Sequence, residues 1–443
     1  MKKVDSNRDL PASAGMASTE SLAATVAARI ILHTILDGYS GPVSVALWTG
    51  ETVIGDESSA CRVIFRRSAP LRDLVLHQDV VRLAEAYLAG NIDVEGEMEL
   101  LLGISEYLQE FELPLSLRFR LMREGLRIPA GKIAKGAATV RAAEKKQRNC
   151  QSSIAHHYDV SNDFYRLWLD PEMVYSCAYF DDPGQSLSTA QQNKLDYICR
   201  KLRLVPGQSM LDIGCGWGAL ACWAARNYGV HVYGITLSEQ QYAFAAERVR
   251  KEGLQESVTI ELRDYRDLPG DICYDRIVSV GMFEHIGIKN FSRYFGTVKQ
   301  LLKPRGLFLN HGITNDTGWR DTPITRFMNC YVFPDAELAR ISQVITAMED
   351  AGFEIIDVES LRRHYALTLR RWVQALKDRR EQAVEIVGEP TFRVWHLYMA
   401  GSAYYFELGS SGVFQVLAGH AQQPLSIPLR RDDIYQAKEV NDV

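Results

Sequence analysis

The sequence lacks the patterns that mark disulfide-stapled, zinc-binding and membrane-spanning proteins. Its eight cysteines include no C-x-x-C pair and do not cluster with the ten histidines, so we expect free thiols in a reducing cytoplasm and no metal site. The most apolar early stretch, residues 22–36, contains Arg29 and His33 and is too short to span a bilayer. Charged residues before it interrupt the apolar core that a secretion signal requires. The sequence therefore predicts a soluble chain, which still allows contact with a membrane surface.

The chain also lacks an excess of basic residues. Its net charge is −5, which gives no overall basicity for binding nucleic acid. The composition, 47% hydrophobic and 24% charged, is typical of folded globular proteins rather than of disordered ones. Because 443 residues exceed what one ordinary core accommodates, we expect two domains.

The first third of the chain divides by composition into three segments. Residues 1–20 are polar and rich in Ala, Ser and Gly, which predicts a disordered tail. Residues 21–117 combine helical spacing with two alternating stretches, GPVSVALWTGETVIG and ACRVIFRR, and with a helix–turn–helix pattern broken at Gly90 and Asn91, which predicts a small α+β domain. Residues 118–149 hold ten Lys or Arg against two Glu and predict a basic linker, either simply solvated or lying on an anionic lipid surface.

From residue 205 onward, apolar strands alternate with helical patterns. The strands are SMLDI, VHVYGITL, VTIEL, YDRIVSVGM and GLFLNHGI, and two later ones, FEIIDVESL and GVFQVLAGH, flank a helical insertion near the C-terminus. This alternation predicts a parallel, doubly wound sheet that binds ligands at the carboxyl ends of its strands. Residues 150–443 are therefore predicted to form one α/β domain.

The stretch LDIGCGWGA places Gly214, Gly216 and Gly218 between a strand and a helix. Glycine permits a sharp turn and a close approach of a ligand to the main chain, although a tight turn without a ligand has the same pattern. With Ala219 the spacing also fits a loosened dinucleotide motif, but the second strand ends in TLSEQQ instead of an acidic residue. Asp212 can hold a cationic amino-acid moiety, and GMFEHIG places a carboxylate and a histidine at the cleft. These features favour a methyltransferase that uses S-adenosylmethionine (SAM) over a dehydrogenase.

Further motifs follow in a specific order and spacing. Together they resemble the cyclopropane-fatty-acyl-phospholipid synthase family, which includes the mycolic acid methyltransferases: they are HHYDVSNDFYRLWLDPEMVYSCAYF, LDIGCGWG, GITLSEQQ, DRIVSVGMFEHIG and HYALTLRRW. The similarity covers roughly residues 150–420, and VRLAEAYLAGNIDVEGEMELLL resembles the family's N-terminal domain. The resemblance implies a class I SAM-dependent methyltransferase fold with a Rossmann-like seven-stranded sheet. It also implies transfer from SAM to a cis double bond of a phospholipid acyl chain, with formation of a cyclopropane ring.

The resemblance implies two sets of site residues. The set that would bind SAM, here called the cofactor residues, is Tyr175, Ser176, Asp212, Gly214, Gly216, Gly218, Thr236, Leu237, Gln241 and Tyr265. The family also holds a bicarbonate ion beside the reacting carbons. The positions that match its ligands, here called the anion residues, are Cys177, Glu284, His311, Ile313 (through its backbone) and Tyr365.

The expected chemistry explains these residue types. An alkene is a poor nucleophile, so it must be aligned with the sulfonium methyl in a dry, apolar slot. Methyl transfer leaves a carbocation on the chain, and a base must remove a proton from the new methyl before the ring can close. Bicarbonate would serve as this base, with His311 and Tyr365 donating hydrogen bonds to it and Glu284 accepting one. Cys177 is interpreted as a wall of the site, because this chemistry needs no thiolate nucleophile.

Two segments depart from the family pattern on the acyl side. Gly312 in HGIT replaces a threonine that many relatives carry, and FPDAELA replaces a glycine-rich turn. One alternative is therefore a related methyltransferase that gives a methyl-branched fatty acid or methylates another lipid or a small molecule. Another is a lipid-binding or regulatory protein on a decayed scaffold, which the intact glycine loop and anion residues disfavour. The resemblance implies membrane phospholipids as partners, a cytoplasmic protein at the anionic inner membrane face, and a homodimer.

Overall fold

The computed structural model describes residues 20–77, 79–110, 114–130, 160–318, 320, 322–333, 337–425 and 427–435. The chain divides into two compact units, Met1–Ala137 and Ala138–Val443. Residues 1–19 of the predicted disordered tail (1–20) and residues 131–149 of the predicted basic linker (118–149) lie outside the described residues.

The first unit is a small α+β domain built on a four-stranded sheet. Its strands are β1 (Val43–Ala46), β2 (Thr52–Ile54), β3 (Cys61–Phe65) and β4 (Ile92–Gly96), in the spatial order β2-β1-β3-β4. Its helices are α1 (Leu22–Ile35), α2 (Ala69–His77), α3 (Val80–Leu88), α4 (Met98–Glu110) and α5 (Leu115–Arg127). The pair β1–β3 is parallel, whereas β1–β2 and β3–β4 are antiparallel. The α+β character predicted for this region is confirmed.

Two local features of this unit differ from the sequence-based expectation. The helix–turn–helix predicted around Gly90 contains strand β4, because the stretch IDVEG pairs antiparallel with β3 and buries Ile92. The boundary predicted between residues 117 and 118 falls inside α5, whose inner face buries Leu121 and Gly125 within the unit. The first arginines of the predicted linker therefore belong to a folded helix, since burial of this face stabilises α5 against the domain.

The second unit is organised around the predicted seven-stranded sheet. Its strands are β5 (Ser209–Ile213), β6 (His231–Thr236), β7 (Val258–Leu262), β8 (Tyr274–Val280), β9 (Leu302–Asn315), β10 (Phe353–Ser360) and β11 (Ser411–His420). Their spatial order is β10-β11-β9-β8-β5-β6-β7, and β11 is antiparallel to both of its neighbours. The strand order reverses between β5 and β8, where a doubly wound sheet opens a crevice at its carboxyl ends.

The helices of this unit lie between the strands and in an insertion. They are α6 (Asn162–Arg166), α7 (Leu187–Lys201), α8 (Ala219–Tyr228), α9 (Glu239–Lys251), α10 (Phe291–Leu301), α11 (Pro323–Tyr331), α12 (Ile341–Asp350), α13 (Arg362–Asp378), α14 (Arg380–Leu408) and α15 (Asp432–Tyr435). The predicted helical insertion consists of α13 and α14, between β10 and β11. Helix α14 is interrupted at Gly388, which has a φ angle of 78°.

Alternating residues of the central strands divide the core into two layers. Met210 and Leu211 are neighbours on β5 but belong to separate buried clusters, one packed with α7 and α8 and the other with α10 and α12. The same alternation separates Ile277 from Val278 on β8. Helices thus cover both faces of the sheet and leave its carboxyl edge for ligands. In the ranges that the structure describes, no helix has the length and apolarity to cross a bilayer.

Candidate functional site

The glycine loop follows β5 and leads directly into α8. Gly214, Gly216 and Gly218 have φ angles of 85°, 55° and 81°, in the left-handed region that side chains disfavour. A Cβ on Gly218 would also lie 3.0 Å from Ala245 Cβ, so this position lacks both the conformation and the space for a side chain. The loop therefore turns sharply and exposes its main chain to the crevice.

A cavity of about 240 Å³ lies beside this loop, at the carboxyl ends of β5, β6 and β8. We call it the cofactor cavity, because nine of the ten cofactor residues line it: Tyr175, Ser176, Asp212, Gly214, Gly216, Thr236, Leu237, Gln241 and Tyr265. The exception is Gly218, which is the N-cap of α8. The fold thus brings together side chains that are spread from position 175 to position 265.

Hydrogen bonds at the end of β6 orient two of these side chains. Thr236 Oγ1 donates to Gln241 Oε1 over 2.8 Å, and both side chains are buried. Ser238 is the N-cap of α9, and its hydroxyl accepts a hydrogen bond from the backbone N–H of Gln241. The Gln241 amide nitrogen makes no hydrogen bond to the described residues, so it is a donor for a ligand in the cavity.

The segment VYSCAYF contributes Val174, Tyr175 and Ser176 to the lining of the cofactor cavity. The Tyr175 ring packs in an aromatic cluster, with its centroid 5.4 Å from that of Trp168 and 5.3 Å from that of Trp372. Such ring contacts fix a side chain at a defined angle. Tyr175 is therefore positioned by the aromatic cluster before any ligand binds.

Two buried, opposite charges face the cavity. Asp212 is 2% exposed, its Oδ2 has no hydrogen-bond partner among the described residues, and burial raises its pKa to about 7. Lys194 of α7 is equally buried, its Nζ donates to Ser176 Oγ over 2.9 Å, and burial lowers its pKa to about 8. Sequence reasoning missed Lys194. The signal was a lysine in phase with the buried positions Ala190 and Ile198 of an amphipathic helix.

Glu284 lies in a short 3-10 turn, Phe283–His285, that follows β8. Its Oε1 accepts the backbone N–H of Ile313 over 2.7 Å, whereas its Oε2 is buried without a hydrogen-bond partner in the described part of the chain. Burial raises the pKa of Glu284 to about 7, although the Ile313 N–H favours the ionised form. Because Met282 and His285 line the cofactor cavity, Glu284 is adjacent to its wall. A carboxyl group with this pKa can take up and release a proton near neutral pH.

His311 lies on β9, two residues before Ile313, so both side chains face the same side of the sheet. Gln415 is directly opposite on β11 and donates its amide to His311 Nδ1 over 3.1 Å. The imidazole proton then lies on Nε2. Burial lowers the pKa of His311 to about 3, so the ring is neutral at physiological pH. The side chain can therefore donate a hydrogen bond but does not carry a positive charge.

Cys177 and Tyr365 meet at the amino end of α13. Cys177 Sγ lies 3.3 Å from the carbonyl oxygen of Ala178 and 3.7 Å from that of Leu361, the residue that precedes α13. Tyr365 donates its backbone N–H to the same Leu361 oxygen, and its ring packs on Phe406. Burial raises the pKa of the Cys177 thiol far above its usual value, so the sulfur stays protonated.

The structure thus places the anion residues in two groups. One group, on β9 and the turn beside it, is Glu284, His311 and Ile313; the other, at α13, is Cys177 and Tyr365. The groups connect through β11, since Leu361 donates its N–H to the Val413 carbonyl and Val413 pairs with Ile313. The described lining of the cofactor cavity includes none of the five.

Tyr398 on α14 is a second residue that sequence reasoning missed. Its hydroxyl lies 3.4 Å from the Tyr175 hydroxyl. Burial raises its pKa to about 12, with a smaller contribution from the charge of Glu284. Tyr398 therefore adjoins the cofactor residue Tyr175. The sequence carried no local signal for this, because the register of a helical insertion against the sheet depends on tertiary packing.

Comparison with known proteins assigns a family to most of the second unit. A family model described as mycolic acid cyclopropane synthetase matches residues 144–416. A second model, described as a domain of unknown function, matches residues 31–110 of the first unit.

Individual relatives agree with this match. The probable fatty acid methyltransferase of Pseudomonas putida is 39% identical over 402 residues, covering 89% of this chain and 96% of the relative. The cyclopropane-fatty-acyl-phospholipid synthase of Escherichia coli K12 is 40% identical over 285 residues, covering 63% of this chain and 72% of the relative. The structure of the mycolic acid cyclopropane synthase CmaA1 in complex with SAH and CTAB is similar with a TM-score of 0.58 at 34% identity, covering 62% of this chain and 99% of that one.

These matches agree with the observed architecture, a seven-stranded, mostly parallel sheet whose glycine loop borders the cofactor cavity. The family match extends over more than half of the 443 residues. The chain belongs to the cyclopropane synthase family of class I SAM-dependent methyltransferases.

Proposed function

We propose that this protein transfers a methyl group from SAM to the cis double bond of an unsaturated phospholipid acyl chain and closes the product to a cyclopropane ring. The observation that carries the proposal is the buried Glu284 carboxyl group. One of its oxygens accepts a hydrogen bond from the Ile313 N–H, and the other has no partner among the described residues. Ring closure needs a base next to the transferred methyl group, and this carboxyl group is adjacent to the cofactor cavity. The Escherichia coli relative, whose name specifies an acyl phospholipid, supports the substrate class.

The lining of the cofactor cavity fits SAM in its chemistry. SAM supplies an electrophilic methyl group when it is bound. Tyr265 provides an aromatic ring for the adenine, and Thr236 and Gln241 provide polar groups for the ribose. The unpartnered Oδ2 of Asp212 provides an acceptor for the ammonium group of the amino-acid moiety. The glycine main chain allows the ligand to approach closely.

Bicarbonate fits the anion residues in part. Glu284 Oε2 is an acceptor for the hydroxyl of the ion, and the Nε2–H of His311 is a donor for one of its oxygens. The Ile313 N–H, in contrast, already donates to Glu284 Oε1. We therefore propose that Glu284 and His311 are the main contacts of a bicarbonate ion that acts as the base, while Cys177 and Tyr365 shape its surroundings.

A second candidate product is a methyl-branched chain that keeps a double bond. A Cβ on Gly312 would overlap the Phe283 ring, so this ring fills the space that the threonine of many relatives would need. Gly312 lies between His311 and Ile313, and Phe283 precedes Glu284, so the change alters the surroundings of the proposed base. If the base removes a proton from the neighbouring chain carbon instead of the new methyl, a branched alkene forms with the same mass as the ring.

Product analysis tests both candidates. The purified protein is incubated with SAM and vesicles of monounsaturated phospholipid, and the acyl chains are examined by mass spectrometry and by gas chromatography of their methyl esters. We expect a gain of one CH2 group per modified chain together with loss of the double bond. A gain with the double bond retained would favour the branched product. No gain with any of several chain lengths and head groups would contradict both candidates.

Bicarbonate dependence is tested separately. Turnover is measured in buffer freed of carbon dioxide and again after bicarbonate is restored. We expect turnover to fall in the depleted buffer and to recover with bicarbonate, and we expect no such recovery in a Glu284→Gln variant. Equal turnover in both buffers would contradict bicarbonate as the base and would leave Glu284 itself in that role.

We further propose that α5 of the first unit binds an anionic phospholipid surface. Four apolar side chains form an exposed stripe along one face of this helix: Leu115 (72% exposed), Phe119 (72%), Met122 (39%) and Leu126 (65%). At 100° per residue, Arg118 and Arg123 flank the stripe on its two sides, and both are exposed. An apolar stripe between arginines matches the acyl boundary and the anionic head groups of a membrane.

Vesicle binding by the full chain tests this surface. We expect binding to phosphatidylglycerol-containing vesicles that weakens with salt, because each basic residue near the surface contributes about 1 kcal/mol. Phe119→Ser combined with Leu126→Ser should lower the affinity by roughly tenfold or more, since two apolar side chains lose their burial. Leu22→Ser, at an exposed apolar position of α1, is the matched control and should bind normally. If the double variant instead loses a homodimer and keeps its vesicle binding, a second copy of the chain is the partner of the stripe.

A further inference from the structure

Lys194 is a buried cation that the catalytic scheme leaves without a role. Its side chain is 2% exposed and lines the cofactor cavity, although it comes from α7, outside the glycine loop and the strand ends. Its ammonium group has three N–H donors, and the one hydrogen bond it makes to the described residues goes to Ser176 Oγ. Lys194 therefore has donor capacity left at the cavity wall.

The acidic groups around Lys194 do not neutralise it by direct pairing. Asp212 and Asp170 interact with its charge, but no ion pair joins either carboxylate to Lys194 within the described residues. Asp170 uses its two oxygens on the backbone N–H groups of Glu172 and Val174. The Asp212 Oδ2 atom is buried and unpartnered among the same residues. Buried charges that lack close partners cost folding free energy, which a ligand of complementary charge relieves.

The amino-acid moiety of SAM carries an ammonium and a carboxylate group on the same carbon. A wall with one buried anion and one buried cation complements such a zwitterion, and Asp212 and Lys194 form this wall. We propose that Lys194 binds the carboxylate of the amino-acid moiety of SAM, while Asp212 faces the ammonium group. This proposal rests on SAM as the methyl donor and assigns a further binding residue to the same site.

Lys194 also connects the proposed carboxylate site to the segment VYSCAYF. Its hydrogen bond to Ser176 joins α7 to this segment, and Gln191, one turn earlier, donates its side-chain amide to the carbonyl oxygens of Val174 and Ser176. A carboxylate bound at Lys194 would therefore lie next to Tyr175 and Ser176. The cofactor residues and α7 would then hold the amino-acid end of SAM from two sides.

Calorimetric binding of two ligands tests the proposal without any need for turnover. S-adenosylhomocysteine keeps the amino-acid moiety, whereas 5′-methylthioadenosine lacks it. In Lys194→Met we expect the affinity for S-adenosylhomocysteine to fall about 10- to 100-fold, as the loss of a charge-assisted hydrogen bond predicts. The affinity for 5′-methylthioadenosine should change by less than about twofold. A similar loss for both ligands would show that Lys194 only supports the fold of the wall, and no loss for either would also overturn the proposal.

Lys201 provides the matched control on the same helix. It is as buried as Lys194, but it pairs with Asp357 and Glu359 and does not line the cavity. Lys201→Met should lower the thermal stability, because Asp357 and Glu359 lose the buried cation that they share, although Arg431 and Tyr197 still contact them. It should keep the S-adenosylhomocysteine affinity within about twofold. If Lys201→Met lost this affinity as strongly as Lys194→Met, general destabilisation would explain both results and the proposal would fail.

A measurement on the wild-type protein keeps the proposal testable if Lys194→Met does not fold. Decarboxylated SAM should bind about 10- to 100-fold more weakly than SAM. Equal affinities would exclude recognition of the carboxylate. If the wild-type protein bound none of these ligands, the use of SAM itself would be contradicted. This outcome differs from the ones that contradict only the role of Lys194.

Discussion

The cofactor cavity and the anion residues are neighbours, yet their polar groups are satisfied differently. In the cavity, Asp212 Oδ2 and the Gln241 amide nitrogen have no hydrogen-bond partner among the described residues. Among the anion residues, the Ile313 N–H, His311 Nδ1 and the Cys177 thiol each have a partner inside the protein. Glu284 Oε2 has none among the described residues, and the Nε2–H of His311 is the donor left for an ion. The cavity is therefore preformed for a ligand, whereas most of the anion site is held by contacts within the protein.

The difference follows from where the two sets lie in the fold. Most of the cofactor residues lie at or just beyond the carboxyl ends of β5 and β6, at the edge where the sheet leaves polar groups for a ligand. The anion residues His311 and Ile313 lie inside β9, whose backbone pairs with β8 on one side and with β11 on the other. The positions of the anion side chains therefore depend on the packing of several strands and helices at once. Four predictions test whether this division into binding and chemistry is correct.

The largest effect is expected for Glu284→Gln. Loss of the carboxylate that is proposed to contact the bicarbonate base should lower kcat by about 10²- to 10⁴-fold, while S-adenosylhomocysteine affinity stays within about twofold. Calorimetry and steady-state kinetics measure the two quantities. Asp275→Asn is the matched control, because Asp275 also accepts a backbone N–H, from Ser209, but at the amino end of the sheet. A collapse of S-adenosylhomocysteine affinity in Glu284→Gln would place Glu284 in the cofactor cavity. The division into cofactor residues that bind and anion residues that serve the chemistry would then be wrong.

The pH dependence should separate the two sets in one enzyme. Glu284 and Asp212 both have a pKa near 7, raised by burial, and both lose their negative charge as the pH falls below that value. Below pH 7, kcat should therefore decrease by up to about tenfold per pH unit through Glu284, and the KM for SAM should increase through Asp212. With the bicarbonate concentration held constant across the pH range, Glu284→Gln should abolish the change in kcat and keep the change in KM. A flat kcat profile of the wild type between pH 5 and 7 would exclude Glu284 as the titrating group.

Two substitutions in the glycine loop compare the energetic cost of an unfavourable backbone conformation with the cost of steric crowding. Gly218→Ala combines a positive φ angle with a contact to Ala245 and should lower the free energy of unfolding by about 2–3 kcal/mol. Gly216→Ala has a positive φ angle but no atom within 4 Å of the new Cβ, and should cost about 1 kcal/mol. Denaturant unfolding measures both values. Equal losses would mean that the backbone conformation alone determines the requirement for glycine.

The smallest effect is expected for Cys177→Ser. The buried thiol is protonated and contacts the Leu361 carbonyl, so a hydroxyl can replace its hydrogen bond at nearly the same volume. We expect kcat to fall by less than about tenfold and S-adenosylhomocysteine affinity to stay unchanged, since such a replacement costs below about 1.5 kcal/mol. Complete loss of turnover in a variant that is folded and binds S-adenosylhomocysteine would give Cys177 a direct chemical role.

Sequence reasoning was accurate where a feature depends on a short stretch of chain. The order of strands and helices in the second unit and the glycine loop follow from local periodicity and backbone sterics. It was less accurate where the secondary structure of a segment depends on the element that it packs against. Strand β4 forms because β3 offers it a pairing edge, and the first arginines of the predicted linker lie in α5 because that helix buries Leu121 and Gly125.

The sequence by itself determined the sheet, the glycine loop and the loop positions that line the cofactor cavity, because these depend on φ angles and on residue spacing within a few positions. Only the tertiary structure decided that Lys194 is a buried cation at this cavity, that Glu284 holds the Ile313 N–H and that Tyr398 reaches Tyr175. These properties arise from burial and from hydrogen-bond partners far apart in the chain. Burial sets the pKa values near which the proposed chemistry operates, and no local pattern encodes it.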